Sequence, residues 1–333
     1  MKAPTLHDVA AEAGVSIKTV SRVVNGATTV DPELRTRVEE VVERLQYVPN
    51  TLARSLKAGT GDTIGVVIDT IADPFFASLT SAVEDVALEA GLGTVFGSTG
   101  FDSARERSQV SRMAMQRVRA LILAPTAGGH EYLQQVRPAL PVVLVDRAVA
   151  DGSYDVVRVD DEGLAHQAVA HLTARGHRRI AFVGSDKRFI TTRHRLDGYH
   201  RALAEVDTSA DPELVRPGPT RDVDATEETL DLLALKEPPT AIFAANPRAA
   251  IGVAHALHTT SRPDVAFISF GDFPLARTLE PAVTFVDQDP SAIGAAAMER
   301  VLAHLDGTAG QTQDIIVPTR LVERGSGEIE VRR

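Results

Sequence analysis

The sequence predicts a multidomain protein, in which an all-α N-terminal domain precedes an α/β core of two lobes. The length of 333 residues is enough for two or more domains. The first 60 residues carry 8 Lys and Arg against 7 Asp and Glu, whereas the remainder carries 27 against 38. From Thr63 onward, apolar strands and helices alternate regularly, which is typical of doubly wound α/β folds. The strands are too many for one compact sheet, and this indicates two lobes.

The composition excludes several classes of site. The chain contains no Cys, which excludes disulfides, thiolate metal sites and Cys nucleophiles. No apolar run approaches the roughly 20 residues of a transmembrane helix, and residues 1–14 lack the apolar core of a signal peptide. We therefore expect a cytoplasmic protein. The net charge of −10 does not by itself favour a nucleic-acid partner.

The N-terminal segment contains a predicted pair of short helices. Thr5 and Asp8 form the capping-box pattern that opens the first helix, over residues 6–13. Ser16 caps the second helix, over residues 17–24, and a glycine makes the turn between the two. Such a pair favours a helix-turn-helix motif. The alternative is a small helical cap with a solvated polar face.

A third helix is predicted to begin at Asp31-Pro32, with proline at its first helical position. Its apolar side chains recur at helical spacing and form one face that covers the first two helices. These apolar residues are Leu34, Val38, Val41, Val42 and Leu45.

The second helix carries the candidate base contacts, because the N-terminal part of this helix enters the major groove in helix-turn-helix proteins. We expect Arg22 to bind guanine, Lys18 to donate to base acceptors and Ile17 to touch a thymine methyl. The polar side chains expected to donate to phosphates are Thr5, Ser16, Thr19, Ser21 and Asn25.

A further short helix is predicted where Asn50 can act as a cap and glycines follow at the other end. A helix of about two turns is marginal by itself, because nucleation costs more than so few hydrogen bonds return. Its apolar residues Leu52 and Leu56, four positions apart, need a partner, for which a twofold mate is a natural candidate.

Residues 8–26, DVAAEAGVSIKTVSRVVNG, and residues 47–57, YVPNTLARSLK, closely resemble the lactose-repressor/purine-repressor (LacI) family. The resemblance implies a homodimer that binds near-palindromic double-stranded operator DNA. It implies that residues 50–57 fold as a hinge helix only on DNA and that Leu56 wedges into the minor groove. It also implies DNA contacts by Leu52, Arg54 and Lys57. A surface leucine packed on the core is the alternative for Leu56.

The remainder resembles the periplasmic-binding-protein-like core of the same family. The expected domains are a helix-turn-helix DNA-binding domain (1–49), a hinge (50–61), an N-terminal lobe (62–158 and 288–317) and a C-terminal lobe (159–287 and 318–333). Ligands of such folds bind at the C-terminal ends of the strands, between the lobes.

The candidate effector-binding residues follow the predicted strands or open the helices after them. They are Asp73, Phe75, Phe76, Thr126, Arg147, Asp160, Arg193, Arg195, Asn246, Arg248 and Asp272. The resemblance implies effector contacts at Arg195 and Asp272 in particular. Alternatives are open: Arg195 paired with Asp272, Asp160 as a helix cap, and only one of the rings of Phe75 and Phe76 in the cleft.

The sequence departs from the family pattern after the strand TAIFAAN. The family has Asn-Asp there, with the Asp holding sugar hydroxyls, whereas this chain has Asn246, Pro247 and Arg248. Proline supplies no acceptor and Arg248 adds a cation. The predicted effector is a sugar or sugar derivative, and an anionic one fits the basic residues of this region, which are Lys187, Arg188, Arg193, Arg195 and Arg248.

Enzyme and metal motifs are missing from the sequence. It contains no GxxxxGK[ST], GxGxxG, HExxH or GxSxG, so we expect no cofactor, no metal and no catalytic site. A solute-binding protein needs a signal peptide and no helix-turn-helix, and an α/β enzyme needs a nucleophile, metal or cofactor motif. We therefore interpret the chain as an effector-controlled, DNA-binding repressor. We expect the effector to release it from DNA, and effector-assisted binding to DNA is the alternative.

Overall fold

The computed structural model describes residues 4–24, 27, 29–47, 61–136, 140–150, 152–218 and 221–331. It divides into two compact units, Met1–Gly61 and Asp62–Arg333. Within the described residues, no helix is long and apolar enough to cross a membrane.

The first unit contains helices α1 (Leu6–Ala13), α2 (Ile17–Val24) and α3 (Pro32–Arg44), as predicted. The capping box at α1 is present: Thr5 Oγ1 accepts from the Asp8 N–H at 3.4 Å, and Asp8 Oδ2 accepts from the Thr5 N–H at 2.7 Å. Their apolar faces form a small core. Its fully buried members are Val9, Val20 and Val38, one from each helix.

The second unit contains two six-stranded sheets. The first sheet is entirely parallel, in the order β11-β5-β4-β3-β1-β2. Its strands are β1 (Thr63–Ile68), β2 (Gly93–Ser98), β3 (Ala120–Leu123), β4 (Val142–Val145), β5 (Asp155–Arg158) and β11 (Asp314–Ile316). The chain therefore leaves this sheet after β5 and returns to it near the C-terminus.

The second sheet has the order β12-β10-β9-β8-β6-β7 and is parallel except for its edge strand β12, which pairs antiparallel with β10. Its strands are β6 (Ile180–Gly184), β7 (Val215–Pro217), β8 (Ala241–Ala244), β9 (Ala266–Phe270), β10 (Thr284–Asp287) and β12 (Arg320–Val322). Strands β5, β7 and β12 were not predicted, since each has only three or four residues and little apolar periodicity.

Helices flank both sheets. They are α4 (Pro74–Glu89), α5 (Ser103–Met115), α6 (Leu133–Val136), α7 (Asp161–Ala174), α8 (Ile190–Ala204), α9 (Asp222–Leu233), α10 (Pro247–Thr259) and α11 (Pro290–Leu305). Helix α11 packs against α4 and against the first sheet, although it follows the last parallel strand of the second. The α/β fold class is confirmed, and the exact domain bounds given above stay a prediction.

Three pairs of neighbouring helices approach each other at a glycine. A Cβ at Gly198 in α8 would lie 2.3 Å from the carbonyl oxygen of Glu162 in α7. A Cβ at Gly252 in α10 would lie 2.3 Å from the carbonyl oxygen of Asp222 in α9. At Gly294 in α11 the corresponding distance to the Leu79 carbonyl in α4 is 2.4 Å. These contacts leave no room for any side chain.

Gly198→Ala should lower the free energy of unfolding by about 1–3 kcal/mol, because α8 must move away from the backbone of α7. The sign of this change distinguishes the helix contact from helix propensity, because alanine in a helix interior otherwise stabilises by about 1 kcal/mol relative to glycine. Denaturant unfolding followed by circular dichroism measures the change. Arg201→Ala, on the exposed face of the same helix, is the control and should cost less than about 1 kcal/mol. An unchanged or raised stability of Gly198→Ala contradicts the prediction.

Candidate functional site

The second helix of the N-terminal unit presents the residues predicted to read bases. Ile17, Lys18 and Arg22 are all exposed, and Ile17 has an exposed fraction of 42%, which is large for an isoleucine. The guanidinium of Arg22 donates to the hydroxyl of Thr29, just beyond the helix. An exposed apolar side chain on the same short helix as two exposed cations is suited to a DNA groove.

The predicted phosphate donors of this unit are already engaged in caps. The Thr5 hydroxyl donates to Asp8 Oδ2 at 2.7 Å. Ser16 Oγ accepts from the Thr19 N–H at 3.1 Å and lies 2.9 Å from Thr19 Oγ1. Ser21 is half-buried. The other predicted DNA contacts, Asn25, Leu52, Arg54, Leu56 and Lys57, lie outside the described residues.

A cavity between the two sheets gathers most of the predicted effector residues. It lies where the carboxyl ends of parallel strands from both sheets meet, as expected for this architecture. The predicted residues that line it are Asp73, Phe75, Phe76, Arg147, Arg195, Asn246 and Arg248.

The guanidinium of Arg147 is held in the cavity by two carboxylates. Its guanidinium donates to Asp69 Oδ2 through Nη2 and to Asp146 Oδ2 through Nε, the latter at 2.9 Å. Both Arg147 and Asp69 are buried. Burial raises the pKa of Asp69, and the neighbouring Arg147 opposes the rise. The cation is therefore neutralised by carboxylates that end strands β1 and β4.

Arg195 is held in the same way by the other lobe. Its Nε donates to Asp161 Oδ1 at 2.7 Å, and its Nη1 donates to the carbonyl of Ala245 at 2.6 Å. The guanidinium also lies 4.0 Å from the centre of the Phe270 ring. Burial raises the pKa of Asp161, and the charge of Arg195 opposes the rise.

Asp73 and Arg248 lack ion pairs as close as those of Arg147 and Arg195 among the described residues. Asp73 is 8% exposed and caps α4 by accepting from the Phe75 N–H at 3.0 Å. Burial raises its pKa to about 6, against the opposing effects of that hydrogen bond and of the charge of Arg248. The only carboxylate paired with Arg248 among the described residues is Asp222, at 3.8 Å. Asn246 caps α10 and donates to Ser185 at 2.9 Å.

Four phenylalanine rings line the cavity beside these charges. Phe75 and Phe76 pack edge to face with centroids 5.0 Å apart, and both are buried and both line the cavity. The expectation that only one of these rings would face the cleft was wrong, because the turn that opens α4 lies at the cavity wall. Phe189 spans the lobes, since its ring packs on Phe101 at 5.8 Å and lies 5.2 Å from the Arg147 guanidinium.

The other predicted effector residues lie elsewhere. Thr126 and Arg193 line a second cavity that adjoins the first through Arg147 and Phe189. Asp272 lines a third, next to Phe75. Its carboxylate pairs with Arg324 at 2.8 and 3.0 Å, so the alternative pairing of Arg195 with Asp272 was wrong.

Asp160 does not line these cavities and instead caps α7, because its Oδ1 accepts from the Gly163 N–H at 3.0 Å. A helix cap was the alternative that the sequence left open for Asp160. The neighbouring Asp161 is the buried partner of Arg195.

Several lining residues were missed by sequence reasoning. Asp69 and Asp146 directly follow apolar strands. The sequence could have identified them, because Arg147 was selected for its position after an apolar strand. Gln288 follows β10 in the same way and is buried, and its Oε1 has no hydrogen-bond partner among the described residues. Phe101 and Phe189 lie in loops, where a lone aromatic residue carries no periodic signal.

One group of described residues brings three metal-ligating side chains together, namely His171, Glu323 and Glu328. His171 Nε2 lies 2.7 Å from Glu328 Oε1, and Arg175 approaches Glu323 at 3.8 Å. Ion pairing accounts for this group, and none of its members lines the cleft.

Comparisons with known proteins agree with this architecture. Residues 5–50 match the family model for bacterial regulatory proteins of the lacI family, and residues 169–327 match that for a periplasmic binding protein-like domain. Catabolite control protein A of Priestia megaterium is 31% identical, over 97% of this chain and 98% of that protein. The HTH-type transcriptional regulator GalS of Salmonella typhimurium is 32% identical, over 97% and 96%.

Solved structures agree as well. The Lac repressor dimer bound to operator and an anti-inducer has a TM-score of 0.86 at 26% identity, over 98% of this chain and 99% of that chain. A complex of the transcriptional regulator CelR with cellobiose has a TM-score of 0.72 at 27% identity, over 97% and 99%.

Asp73→Asn should change how stability depends on pH. Because the pKa of Asp73 rises from 3.8 to about 6 on folding, the folded protein keeps a proton that the unfolded chain has released between these values. The wild-type protein should therefore lose stability as the pH rises through this window. Asparagine keeps the cap and does not titrate, so Asp73→Asn should be more stable at pH 8 by up to about 3 kcal/mol and equal near pH 4.

Urea unfolding at a series of pH values measures this difference. Asp160→Asn is the matched control, because it removes an exposed carboxylate from another helix cap. Identical pH profiles for the wild-type protein and Asp73→Asn would contradict the prediction.

Proposed function

The chain belongs to the LacI family of DNA-binding transcriptional repressors, and on this basis we propose that a small molecule bound between its lobes sets its affinity for an operator. It is a regulator and not an enzyme. The proposal rests on one observation, which is that a single chain contains both a three-helix unit and a two-sheet core. A three-helix unit exposes Ile17, Lys18 and Arg22, and a separate two-sheet core holds a buried polar cavity.

The effector is a sugar or a sugar derivative. The cavity combines phenylalanine rings, which suit the apolar faces of a sugar ring, with carboxylates and guanidinium groups, which suit its hydroxyls. Gln288 Oε1 has no hydrogen-bond partner among the residues that the structure describes, and it adds a buried acceptor for a ligand hydroxyl. The similar regulator CelR was solved with cellobiose, which supports a carbohydrate.

Effector binding acts on DNA affinity through the lobes. The ring of Phe189 bridges the two lobes, so a ligand at this place changes their relative orientation. This change is coupled to the hinge over residues 50–57, which lies outside the described residues and is expected to fold only on DNA. Operator binding and hinge folding then weaken together, and the effector releases the repressor.

Operator selection tests this proposal. The full chain is incubated with randomised duplex DNA, and the bound sequences are recovered and measured again across a range of salt concentrations. A near-palindrome of about 14–20 base pairs with affinity far above that of random DNA supports the proposal. Uniform weak binding to all sequences overturns it. Titration of sugars into the operator complex then shows whether the effector weakens or strengthens operator binding. Tighter operator binding with the effector would contradict release.

Arg22→Ala should relax the base preference at one position of each operator half-site, because its exposed guanidinium is suited to the two acceptors of a guanine. We expect a loss of about 1–3 kcal/mol on the preferred sequence and little change on random DNA. Competition binding against operators altered at single positions measures this. Arg44→Ala, which changes a cation on α3 paired with Glu12, is the control. An unchanged base preference in Arg22→Ala counts against direct reading by this residue.

Leu56→Ala should weaken operator binding and reduce DNA bending without changing the stability of the core, since a smaller side chain cannot unstack the central base step. Gel-shift titration and a bending assay measure the two effects, and thermal unfolding of the same sample reports on the core. Full operator affinity together with full bending in Leu56→Ala would exclude the wedge.

A further inference from the structure

A second cavity continues the effector cavity between the two lobes. Residues 125–128, His130 and residues 147–150 line it from the N-terminal lobe, and residues 188–190 with Arg193 line it from the C-terminal lobe. Arg147 and Phe189 line both cavities, so the two cavities adjoin each other at these side chains. The two cavities are therefore compartments of one cleft.

The two compartments differ in charge. Three carboxylates and three arginines line the first compartment. The second is lined by His130, Arg147, Arg188 and Arg193, and none of the described residues that line it is an Asp or a Glu. It is therefore the positive end of the cleft.

Arg193 is the cation of this compartment that lacks a carboxylate partner. Arg147 is neutralised by Asp69 and Asp146, and Arg188 pairs with Asp186 at 2.9 Å. The Arg193 guanidinium instead donates from Nη1 to two backbone carbonyls of the loop before α8, at 2.8 and 2.9 Å. These bonds hold its position and leave its charge uncompensated among the described residues.

The N-terminus of α8, a helix of 15 residues, lies where the two compartments adjoin: Ile190 lines the second compartment, and Thr191 and Thr192 line the first. Phe189 occupies the capping position, and no side chain caps the helix. The first N–H groups of a helix have no partner within the helix and carry partial positive charge, so they attract anions.

A buried hydroxyl without a partner supplies an independent observation at this place. Thr126 is 5% exposed, and its Oγ1 has no hydrogen-bond partner among the described residues. Its backbone N–H is held at 2.5 Å by Glu106, which also accepts from the Tyr132 hydroxyl at 2.7 Å. The threonine is thus fixed in the cavity wall with a buried hydroxyl, which is costly unless a water molecule or a ligand forms a hydrogen bond with it.

We propose that this compartment binds the phosphate group of a phosphorylated sugar, whose ring occupies the first compartment. Arg193, the first N–H groups of α8 and the hydroxyl of Thr126 surround the phosphate oxygens. The assignment rests on the proposed function, since it names the chemical class of the effector of the same cleft. The Glu106 carboxylate behind Thr126 is bound by the Thr126 N–H, the Tyr132 hydroxyl and His130, and these partners offset part of its negative charge.

Titration of inorganic phosphate into the full chain by calorimetry tests the compartment directly. Arg193→Gln should weaken phosphate binding by tenfold or more, as expected for the loss of a charge-assisted hydrogen bond. Arg201→Gln is the matched control, since it removes an exposed arginine of the same helix that pairs with Glu162. Equal weakening in both variants, or none in Arg193→Gln, would overturn the proposal.

Thr126→Val separates a binding role from a structural one. Valine has the same shape and removes the unpartnered hydroxyl, so the melting temperature without ligand should be unchanged or higher. Phosphate affinity should fall at least threefold. A lower melting temperature with unchanged phosphate affinity would mean that the hydroxyl is structural, and it would contradict the proposal.

A pair of probes distinguishes this proposal from the proposed function. Glucose and glucose 6-phosphate are titrated into the complex of the protein with its selected operator, and release is compared in the wild-type protein and in Arg193→Gln. Release by the phosphorylated sugar at a lower concentration than by the neutral one, lost in the variant, supports the phosphate compartment. A response to glucose alone overturns it and leaves the regulator standing. Failure to select any operator overturns the regulator, while the phosphate titration still decides on the compartment.

Discussion

The cleft depends on the neutralisation of two buried arginines. Arg147 is held by Asp69 and Asp146, and Arg195 is held by Asp161. Removing one partner of such a pair leaves an uncompensated buried charge, which costs about 3–5 kcal/mol. Asp69 and Asp146 follow parallel strands of the first sheet at their carboxyl ends, and Asp161 is the first residue of α7. The charges therefore shape the cavity and restrict which ligands it accepts.

The close approach of α7 and α8 is a condition for this arrangement. Gly198 lets α8 lie against the backbone of α7, and Asp161 at the start of α7 then meets Arg195 at the start of α8. The same approach directs the N-terminus of α8 and the ring of Phe189 into the cleft. A packing contact in the helix layer thus positions both the charged wall and the element that bridges the lobes.

In the proposed function, the two compartments divide ligand recognition between them. Rings, carboxylates and guanidinium groups in the first suit a polyhydroxylated ring, and an uncapped helix end with Arg193 in the second suits an anion. Because Phe189 and Arg147 belong to both, one ligand that fills the cleft contacts both lobes at once. Binding energy is then available to bias the orientation of the lobes, as effector control of DNA affinity requires.

The sequence by itself determined the three N-terminal helices, the alternation of strands and helices, and the strand ends that face the cleft. These features depend on caps, turns and periodicity within a few residues, as Thr5 with Asp8 and Asp31 with Pro32 illustrate. Only the tertiary structure decided that Arg195 pairs with Asp161 and that Asp272 pairs with Arg324. It also decided that Thr126 and Arg193 line the same cavity from different lobes. Such partners lie tens of residues apart, so their meeting depends on strand order and helix crossing, which no local pattern encodes.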